Sequence, residues 1–292
     1  MEFLGQIIKV LDYSIETPKP YGAFHLTFLI LTVLLSVYLS VRYKDASDKT
    51  YKKIVFISWI IMVVLELYKQ FIYTFSYDGT VITIDYQWYA FPYQFCSTPL
   101  YVFPFIVFCK NKNVYQAVVS FTMTFVFFAG VAVMLYPNDI YISTLGIDVQ
   151  TSVHHGVQAV IGSLTICKYR KHLKDIKFYL KGMIAFVVLL SVAFILNLLA
   201  PLFTDETFNM FYISPYFNCH IPILSIINEN APYIVFLLSY VLGFMLVALI
   251  IYQSANLIYK LIVKNSREKW EFFALLQQQK KGWKTILFLC LN

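Results

Sequence analysis

Residues 88–105 have the sequence WYAFPYQFCSTPLYVFPF, and this stretch decides the expected fold class. It is nearly long enough to cross a bilayer, which takes about 20 mostly apolar residues. Its middle third nevertheless contains the polar side chains Gln94, Cys96, Ser97 and Thr98, flanked by Pro92 and Pro99. Polar groups cost free energy in hydrocarbon, so we expect this segment to face protein or water inside a helical bundle.

The composition is that of a membrane protein. Of 292 residues, 59% are hydrophobic and 13% are charged, whereas soluble domains carry roughly 25% charged residues. The net charge of +7 does not indicate nucleic-acid binding, because Lys and Arg collect in the cytoplasmic loops of membrane proteins. We therefore predict a multi-pass protein of the cell membrane, with membrane lipids and not nucleic acid as partners.

Hydropathy predicts seven membrane-spanning helices in an all-α, seven-helix transmembrane bundle. The third and fifth are interrupted by polar residues and are the weakest. The predicted spans are 22–41, 54–76, 89–108, 114–135, 150–167, 183–203 and 231–254.

The distribution of basic residues predicts the orientation. Lys and Arg occur after spans one, three, five and seven, whereas loops 77–88, 136–149 and 204–230 contain neither. By the positive-inside rule, the amino terminus is outside and the carboxyl terminus is cytoplasmic. Residues 1–257 then form the membrane domain. The basic tail, 258–292, has two open interpretations: an amphipathic helix on the inner leaflet, or a poorly ordered end of the chain.

Polar residues of four spans fall at one depth, counted at about 1.5 Å per helical residue. All lie in the outer half of the predicted membrane domain, and the inner half has almost none. They are Glu66, Lys69 and Gln70 in span two, Gln94 and Cys96 in span three, His154, His155 and Gln158 in span five, and Asn197 in span six. We expect Glu66, Gln94, Cys96, His155 and Asn197 to line one cavity.

Each of these residues has a structural interpretation beside a functional one. Glu66 and Lys69 are three apart on one helix face and can form a neutral structural pair. Cys96 has three interpretations: a small buried hydrophobe, a disulfide partner of Cys219, or a nucleophile activated by a neighbouring base. His155 is the favoured base, with Gly156 beside it, although a histidine satisfied by Glu66 explains it equally well. An asparagine placed like Asn197 more often holds helices together by hydrogen bonds than takes part in catalysis.

Several classes of function are excluded or disfavoured. Span seven has no lysine for a retinal Schiff base, and no GxxxxGK[ST] motif is present. The cysteines lack zinc-site spacing and the acids of the outer loops are scattered, so neither a metal nor a cofactor is expected.

Four short motifs, in order, resemble the YwaF-type bacterial integral membrane family, which is related to eukaryotic transmembrane protein 164. They are LEL at 65–67, FPYQFCSTPLYVFPF at 91–105, YPND at 136–139 and HHG at 154–156. The resemblance covers roughly residues 20–255. The eukaryotic relative is described as a lipid acyltransferase dependent on a membrane cysteine and a histidine. The resemblance therefore implies these roles for Cys96 and His155.

Three hypotheses of function follow. In the first, the protein acts on lipid acyl groups as an acyltransferase or hydrolase: Cys96 attacks a carbonyl, His155 is the base, and Glu66 orients the imidazole. Gln94 or Asn197 would donate to the oxyanion. The further substrate-binding candidates are His154, Gln158 and Lys69.

In the second hypothesis, the same polar layer binds a small solute in a transporter or receptor. Common transporters contain repeated halves, and no repeat is visible in this chain. In the third, the layer only fixes helix packing in a structural membrane protein. The sequence does not indicate the oligomeric state.

Overall fold

The computed structural model describes residues 2–138 and 140–290, with side chains as far as residue 264. Over these ranges the chain is an all-α protein with one short two-stranded hairpin, β1 (Phe75–Tyr77) and β2 (Ile82–Ile84). The helices are α1 (Glu2–Leu11), α2 (Ala23–Tyr43), α3 (Asp48–Ile72), α4 (Thr98–Phe108), α5 (Lys112–Phe121), α6 (Phe127–Leu135), α7 (Leu145–Lys168), α8 (Ile176–Leu199), α9 (Leu224–Asn230) and α10 (Tyr233–Cys290). A π-helical turn, Thr122–Val126, joins α5 to α6.

Among the described residues, five helical segments are long and apolar enough to cross a membrane. They are Ala23–Tyr43, Asp48–Ile72, Lys112–Leu135, Ile176–Leu202 and Tyr233–Lys264. These segments coincide with predicted spans one, two, four, six and seven. The chain is therefore a helical membrane protein by the length and composition of its helices.

The two weak spans have different structures. The span predicted at 150–167 lies within α7, which has sufficient length but a more polar face. The span predicted at 89–108 is helical in α4 only from Thr98, and 3₁₀ turns at Trp88–Ala90 and Phe95–Ser97 precede it. The sequence-based boundary was wrong here. Pro99 lies in the first turn of α4, where its missing N–H leaves no intrahelical bond unmade.

Within residues 1–252 the helices form a centre and an outer layer. In the most apolar 18-residue stretch of each segment, 67% of Lys112–Leu135 is buried, whereas only 17% is buried in α2 and in α3. Helix α7 packs against α2, α3 and α6, and α5 packs against α8. Many of the buried side chains on α7 are polar, whereas α2 exposes Leu and Val. This arrangement is expected where the surrounding solvent is lipid.

Helices α6 and α7 approach closely through glycine. A Cβ on Gly130 would lie 2.4 Å from the Ala159 backbone nitrogen and 2.6 Å from the His155 carbonyl oxygen. Small residues permit this close backbone contact between membrane helices. The crossing fixes α7 at the level of its histidines.

The C-terminal end of α7 is tied to the turn between α2 and α3. Lys168 Nζ donates to the Ala46 carbonyl at 2.8 Å and pairs with the Asp48 carboxylate at 2.9 Å. Arg170 donates to Asp45 and holds the pKa of that carboxyl below its usual value. These contacts secure the end of the bundle at which α3 begins.

The chain divides into two compact units, residues 1–252 and residues 253–292. The backbone of α10 is helical from Tyr233 to Cys290. Side chains from residue 265 onward lie outside the described part. The predicted division into a membrane domain, 1–257, and a basic tail, 258–292, therefore stays a prediction.

Candidate functional site

A polar cavity of about 180 Å³ lies between α3, the segment before α4, and α7. Four predicted site residues line it together with Cys96. The lining residues are Glu66, Lys69, Tyr73, Tyr89, Ala90, Cys96, Ser97, Ile140, Ile147, Gln150, Thr151, His154 and His155. The structure thus brings Glu66, Lys69, Cys96, His154 and His155 together, although they come from three different parts of the chain.

Helix α7 supplies one continuous face to this cavity. Its lining residues, Ile147, Gln150, Thr151, His154 and His155, follow the spacing i, i+3, i+4, i+7 and i+8. Residues at that spacing share one side of an α-helix. Gln150 and Thr151 were not predicted as site residues, although they lie one turn before the two histidines and the helical period indicates them.

Helix α3 supplies a buried ion pair. Lys69 Nζ lies 3.0 Å from Glu66 Oε1, with 17% and 8% of the two side chains exposed. Gln70 also donates to Glu66 Oε1 at 2.7 Å and to the Ala90 carbonyl at 2.9 Å. The second carboxylate oxygen of Glu66, Oε2, is buried and has no hydrogen-bond partner among the described residues. The pair therefore has a structural role and still presents an unused acceptor.

The segment before α4 is fixed by aromatic packing. The Phe95 ring lies 4.9 Å from the Phe244 ring and 5.6 Å from the Phe211 ring, measured between centroids. The next residue, Cys96, is a free thiol that lines the cavity. Cys219 is also a free thiol, so the alternative of a Cys96–Cys219 disulfide is not realised.

Two side chains from α7 hold the backbone of Cys96. His154 Nε2 lies 3.1 Å from the Cys96 carbonyl oxygen, and Gln158 Nε2 donates to the same oxygen at 2.9 Å. Gln158 is fully buried and lies behind the cavity, not in its lining. Both residues were expected to contact substrate; both contact the segment that carries the thiol, and His154 also lines the cavity.

The contact with a carbonyl identifies the tautomer of His154. A carbonyl oxygen only accepts, so Nε2 carries the proton and the neutral ring leaves Nδ1 as the acceptor. That Nδ1 is buried without a hydrogen-bond partner in the described part of the chain. His155 is also buried, and no hydrogen bond to its ring occurs among the described residues.

The expected contacts between these side chains are not formed. Across the described ranges, no hydrogen bond joins the Cys96 sulfur to His154 or His155, and none joins Glu66 to either ring. The two imidazole centroids are 6.0 Å apart. The cavity thus collects the groups of a Cys–His site without the hydrogen bonds of an assembled one.

Gln94 and Asn197 lie elsewhere. Gln94 donates to the Asn209 carbonyl and accepts from the Phe211 N–H, both at 3.0 Å. Asn197 donates to the Met210 carbonyl at 2.9 Å and accepts from its N–H at 2.7 Å. Phe211 has φ 58°, a left-handed conformation that is uncommon for a bulky residue. The two amides hold this turn, so neither is placed as the expected oxyanion donor.

The structure also bears on metal binding. Within its described residues there is no cluster of three or more His, Cys, Asp or Glu side chains able to hold an ion. The polar groups that line the cavity are a thiol, two imidazoles, an ion pair, the phenols of Tyr73 and Tyr89, and the neutral side chains of Ser97, Gln150 and Thr151.

Comparison with known proteins identifies no relative, since no family model, curated protein or solved structure matches the chain. The resemblance to the YwaF-type family therefore depends on the short motifs at 65–67, 91–105, 136–139 and 154–156.

Proposed function

We propose that the chain is a seven-span protein of the cell membrane, with its amino terminus outside and its carboxyl terminus in the cytoplasm, and that it belongs with the YwaF-type family. The absence of Lys and Arg from three alternate loops supports this topology. Under it, α4 and α7 are the third and fifth spans, and the polar cavity lies in the outer half of the membrane.

We propose further that the cavity catalyses transfer or hydrolysis of a lipid acyl group. The observation that carries this proposal is the shared cavity itself. A free Cys96 thiol and the uncommitted His155 ring line the same 180 Å³ volume, next to a carboxylate oxygen without a partner. Intramembrane polar groups usually pair with one another, so two buried groups without partners, beside a thiol that forms no disulfide, support a functional role.

The proposed reaction has two steps. In the first, the Cys96 sulfur attacks the ester carbonyl, its proton passes to His155, and the alcohol leaves with that proton as the ester C–O bond breaks. In the second, a second alcohol or water attacks the thioester, gives its proton to His155, and the proton returns to the departing sulfur. The acyl group has then moved from one oxygen to another.

The remaining residues receive roles from their contacts. His154 and Gln158 position Cys96 through its carbonyl oxygen. The oxyanion donor is Gln150, which replaces Gln94 and Asn197. Gln150 lines the cavity, and among the described residues its amide nitrogen makes no hydrogen bond. Lys69 holds the Glu66 carboxylate in place through their ion pair.

The size of the cavity limits what it holds. Pockets for drug-sized ligands have volumes of roughly 300–1,000 Å³, whereas this cavity has about 180 Å³. It accommodates the ester group and the nearest atoms of a lipid but not a whole lipid. The chains would lie outside it, along apolar surfaces of the bundle.

Binding of a small zwitterionic solute is the second candidate. It is favoured by the missing thiol–imidazole hydrogen bond and by the ion pair, which presents both charges on the cavity wall. A transporter or receptor of this kind requires Glu66 and Lys69 but not the sulfur of Cys96. The two candidates therefore respond differently to Cys96→Ser.

An acyl-transfer assay separates them. The purified protein is reconstituted with a fluorescent phosphatidylcholine, and release or transfer of the labelled acyl chain is measured. Cys96→Ser should abolish the reaction, and the matched variants Cys109→Ser and Cys167→Ser should retain it, because neither lines the cavity. An equal rate in the Cys96→Ser protein would reject the enzyme and leave the solute-binding candidate.

A further inference from the structure

A second cavity, of about 700 Å³, lies at the opposite end of α3 from the ion pair. It is formed by the first turn of α3 and the connection between α4 and α5. Four lysines and two apolar residues contribute to it: Lys49, Lys52, Lys110, Lys112, Val107 and Phe108. The proposed acyl chemistry uses none of these residues.

The positive charge of this cavity is not neutralised locally. Across the described residues, none of the four lysines forms a salt bridge with an acidic side chain. The acid in the lining, Asp48, is paired with Lys168 at 2.9 Å. Lys52 lies over the Tyr115 ring, with its nitrogen 5.2 Å from the centroid, and this contact adds no negative charge. The cavity therefore attracts an anion.

The backbone adds to this charge. Helix α3 begins at Asp48 and α5 begins at Lys112, and both residues line the cavity. Helix amino termini carry partial positive charge, and here side chains cap part of their N–H groups: Ser47 accepts from the Thr50 N–H, and Asn111 accepts from the N–H groups of Asn113 and Val114. Two helices therefore direct the same sign of potential at the volume enclosed by the lysines.

An exposed aromatic wall next to the lysines distinguishes a lipid from a free anion. Phe108 is 61% exposed, and its ring lies 6.1 Å from the Phe56 ring and 6.4 Å from the Trp59 ring. These aromatic side chains lie on the hydrocarbon side of the basic residues, on helices α3 and α4. A free phosphate needs no such wall, whereas a phospholipid has its acyl chains immediately below its phosphate.

We propose that this basic cavity binds the phosphate of an anionic phospholipid of the inner leaflet, with the first atoms of the acyl chains against Phe108. Basic pockets between membrane helices on the cytoplasmic side bind such head groups through their charge. The inference depends on the proposed topology, which places the start of α3 in the cytoplasm. It is independent of the proposed acyl transfer, so either can fail alone.

Native mass spectrometry of the full-length protein, purified in neutral detergent, tests this site with dioleoyl phosphatidylglycerol and, as the uncharged comparison, dioleoyl phosphatidylcholine. The wild-type protein should retain phosphatidylglycerol preferentially. The quadruple variant Lys49→Gln/Lys52→Gln/Lys110→Gln/Lys112→Gln should bind it about tenfold more weakly or worse, since each basic residue contributes to head-group attraction.

The matched control removes the same charge from the same predicted side, outside the cavity. The variant Lys44→Gln/Lys53→Gln/Lys171→Gln/Lys177→Gln changes four exposed lysines and should stay within about twofold of the wild type. Equal weakening in the two quadruple variants would overturn the site, as would displacement of the lipid by equimolar inorganic phosphate. If the cavity variant does not fold, the pairs Lys49→Gln/Lys52→Gln and Lys110→Gln/Lys112→Gln should each weaken binding about threefold while the control does not.

Discussion

His154 and His155 are adjacent in the sequence and have different surroundings in the cavity. His154 donates its Nε2 proton to the Cys96 carbonyl, whereas among the described residues the His155 ring has no hydrogen-bond partner. A ring already committed to a backbone contact cannot turn toward the sulfur without breaking that contact. A ring without hydrogen bonds loses none when it turns toward the sulfur. This difference favours His155 as the base.

Replacing each histidine by glutamine tests that assignment. His154→Gln keeps an amide donor for the Cys96 carbonyl and should reduce the turnover rate less than about tenfold. His155→Gln removes the base and should reduce it about 100-fold or more, the usual size of a general-base contribution. The turnover rate and KM of both variants are measured in proteoliposomes. A larger loss in His154→Gln than in His155→Gln would reverse the assignment.

The Glu66–Lys69 pair also makes a residue-scale prediction. Lys69→Gln leaves a buried carboxylate without its cation, and we expect a loss of about 3 kcal/mol, the lower part of the range for buried pairs, because Lys69 keeps 17% of its side chain exposed. The double variant Glu66→Gln/Lys69→Gln removes both charges and should recover most of this stability. Thermal unfolding in detergent measures both, and equal stability of Lys69→Gln and wild type would show that the pair is not structurally coupled.

At the scale of the helices, the apolar runs and the helical period predicted much of what the structure contains. Five predicted spans coincide with helices of membrane-spanning length and composition. Glu66, Cys96 and His155 line one cavity, as the polar layer predicted, although Cys96 precedes the first residue of α4 and its position does not follow from helical rise. The same period extends to Gln150 and Thr151, which complete the α7 face of the cavity.

Two features could not be predicted from the apolar runs and the helical period. The start of α4 at Thr98 depends on packing of Phe95 against Phe211 and Phe244, and a hydropathy profile carries no information about tertiary contacts. The partners of Gln94 and Asn197 belong to an irregular loop with no period to extrapolate. The depth argument did not determine which neighbours these amides would bind.

The crossing of α6 and α7 makes a prediction at this scale. Gly130→Ala places a methyl group against the Ala159 nitrogen and the His155 carbonyl, so the helices must separate, at about 1–3 kcal/mol. Activity should fall with stability, because His155 moves with α7. The matched control is Gly243→Ala in α10, where a Cβ meets nothing within 4 Å. Thermal unfolding compares the two, and equal behaviour would show that the crossing is not tight.

For the whole molecule, the positive-inside rule makes a topological prediction. In a background with every native cysteine replaced by serine, a cysteine at Asp205 should react with an impermeant maleimide added to intact cells. A cysteine at Lys171 should react only after the membrane is permeabilised. Both positions are exposed on the protein, so only the membrane separates them from the reagent. The opposite pattern would place the polar cavity in the inner half and the basic cavity outside.

In the proposed function, Cys96 carries the acyl group between donor and acceptor. The direct measurement is peptide mass spectrometry of protein incubated with a defined phosphatidylcholine, acid-quenched and digested with and without hydroxylamine. We expect a hydroxylamine-sensitive acyl mass on the peptide containing Cys96, absent from the Cys109 and Cys167 peptides and lost in His155→Gln. An unmodified Cys96 peptide in protein that is transferring acyl chains would contradict it.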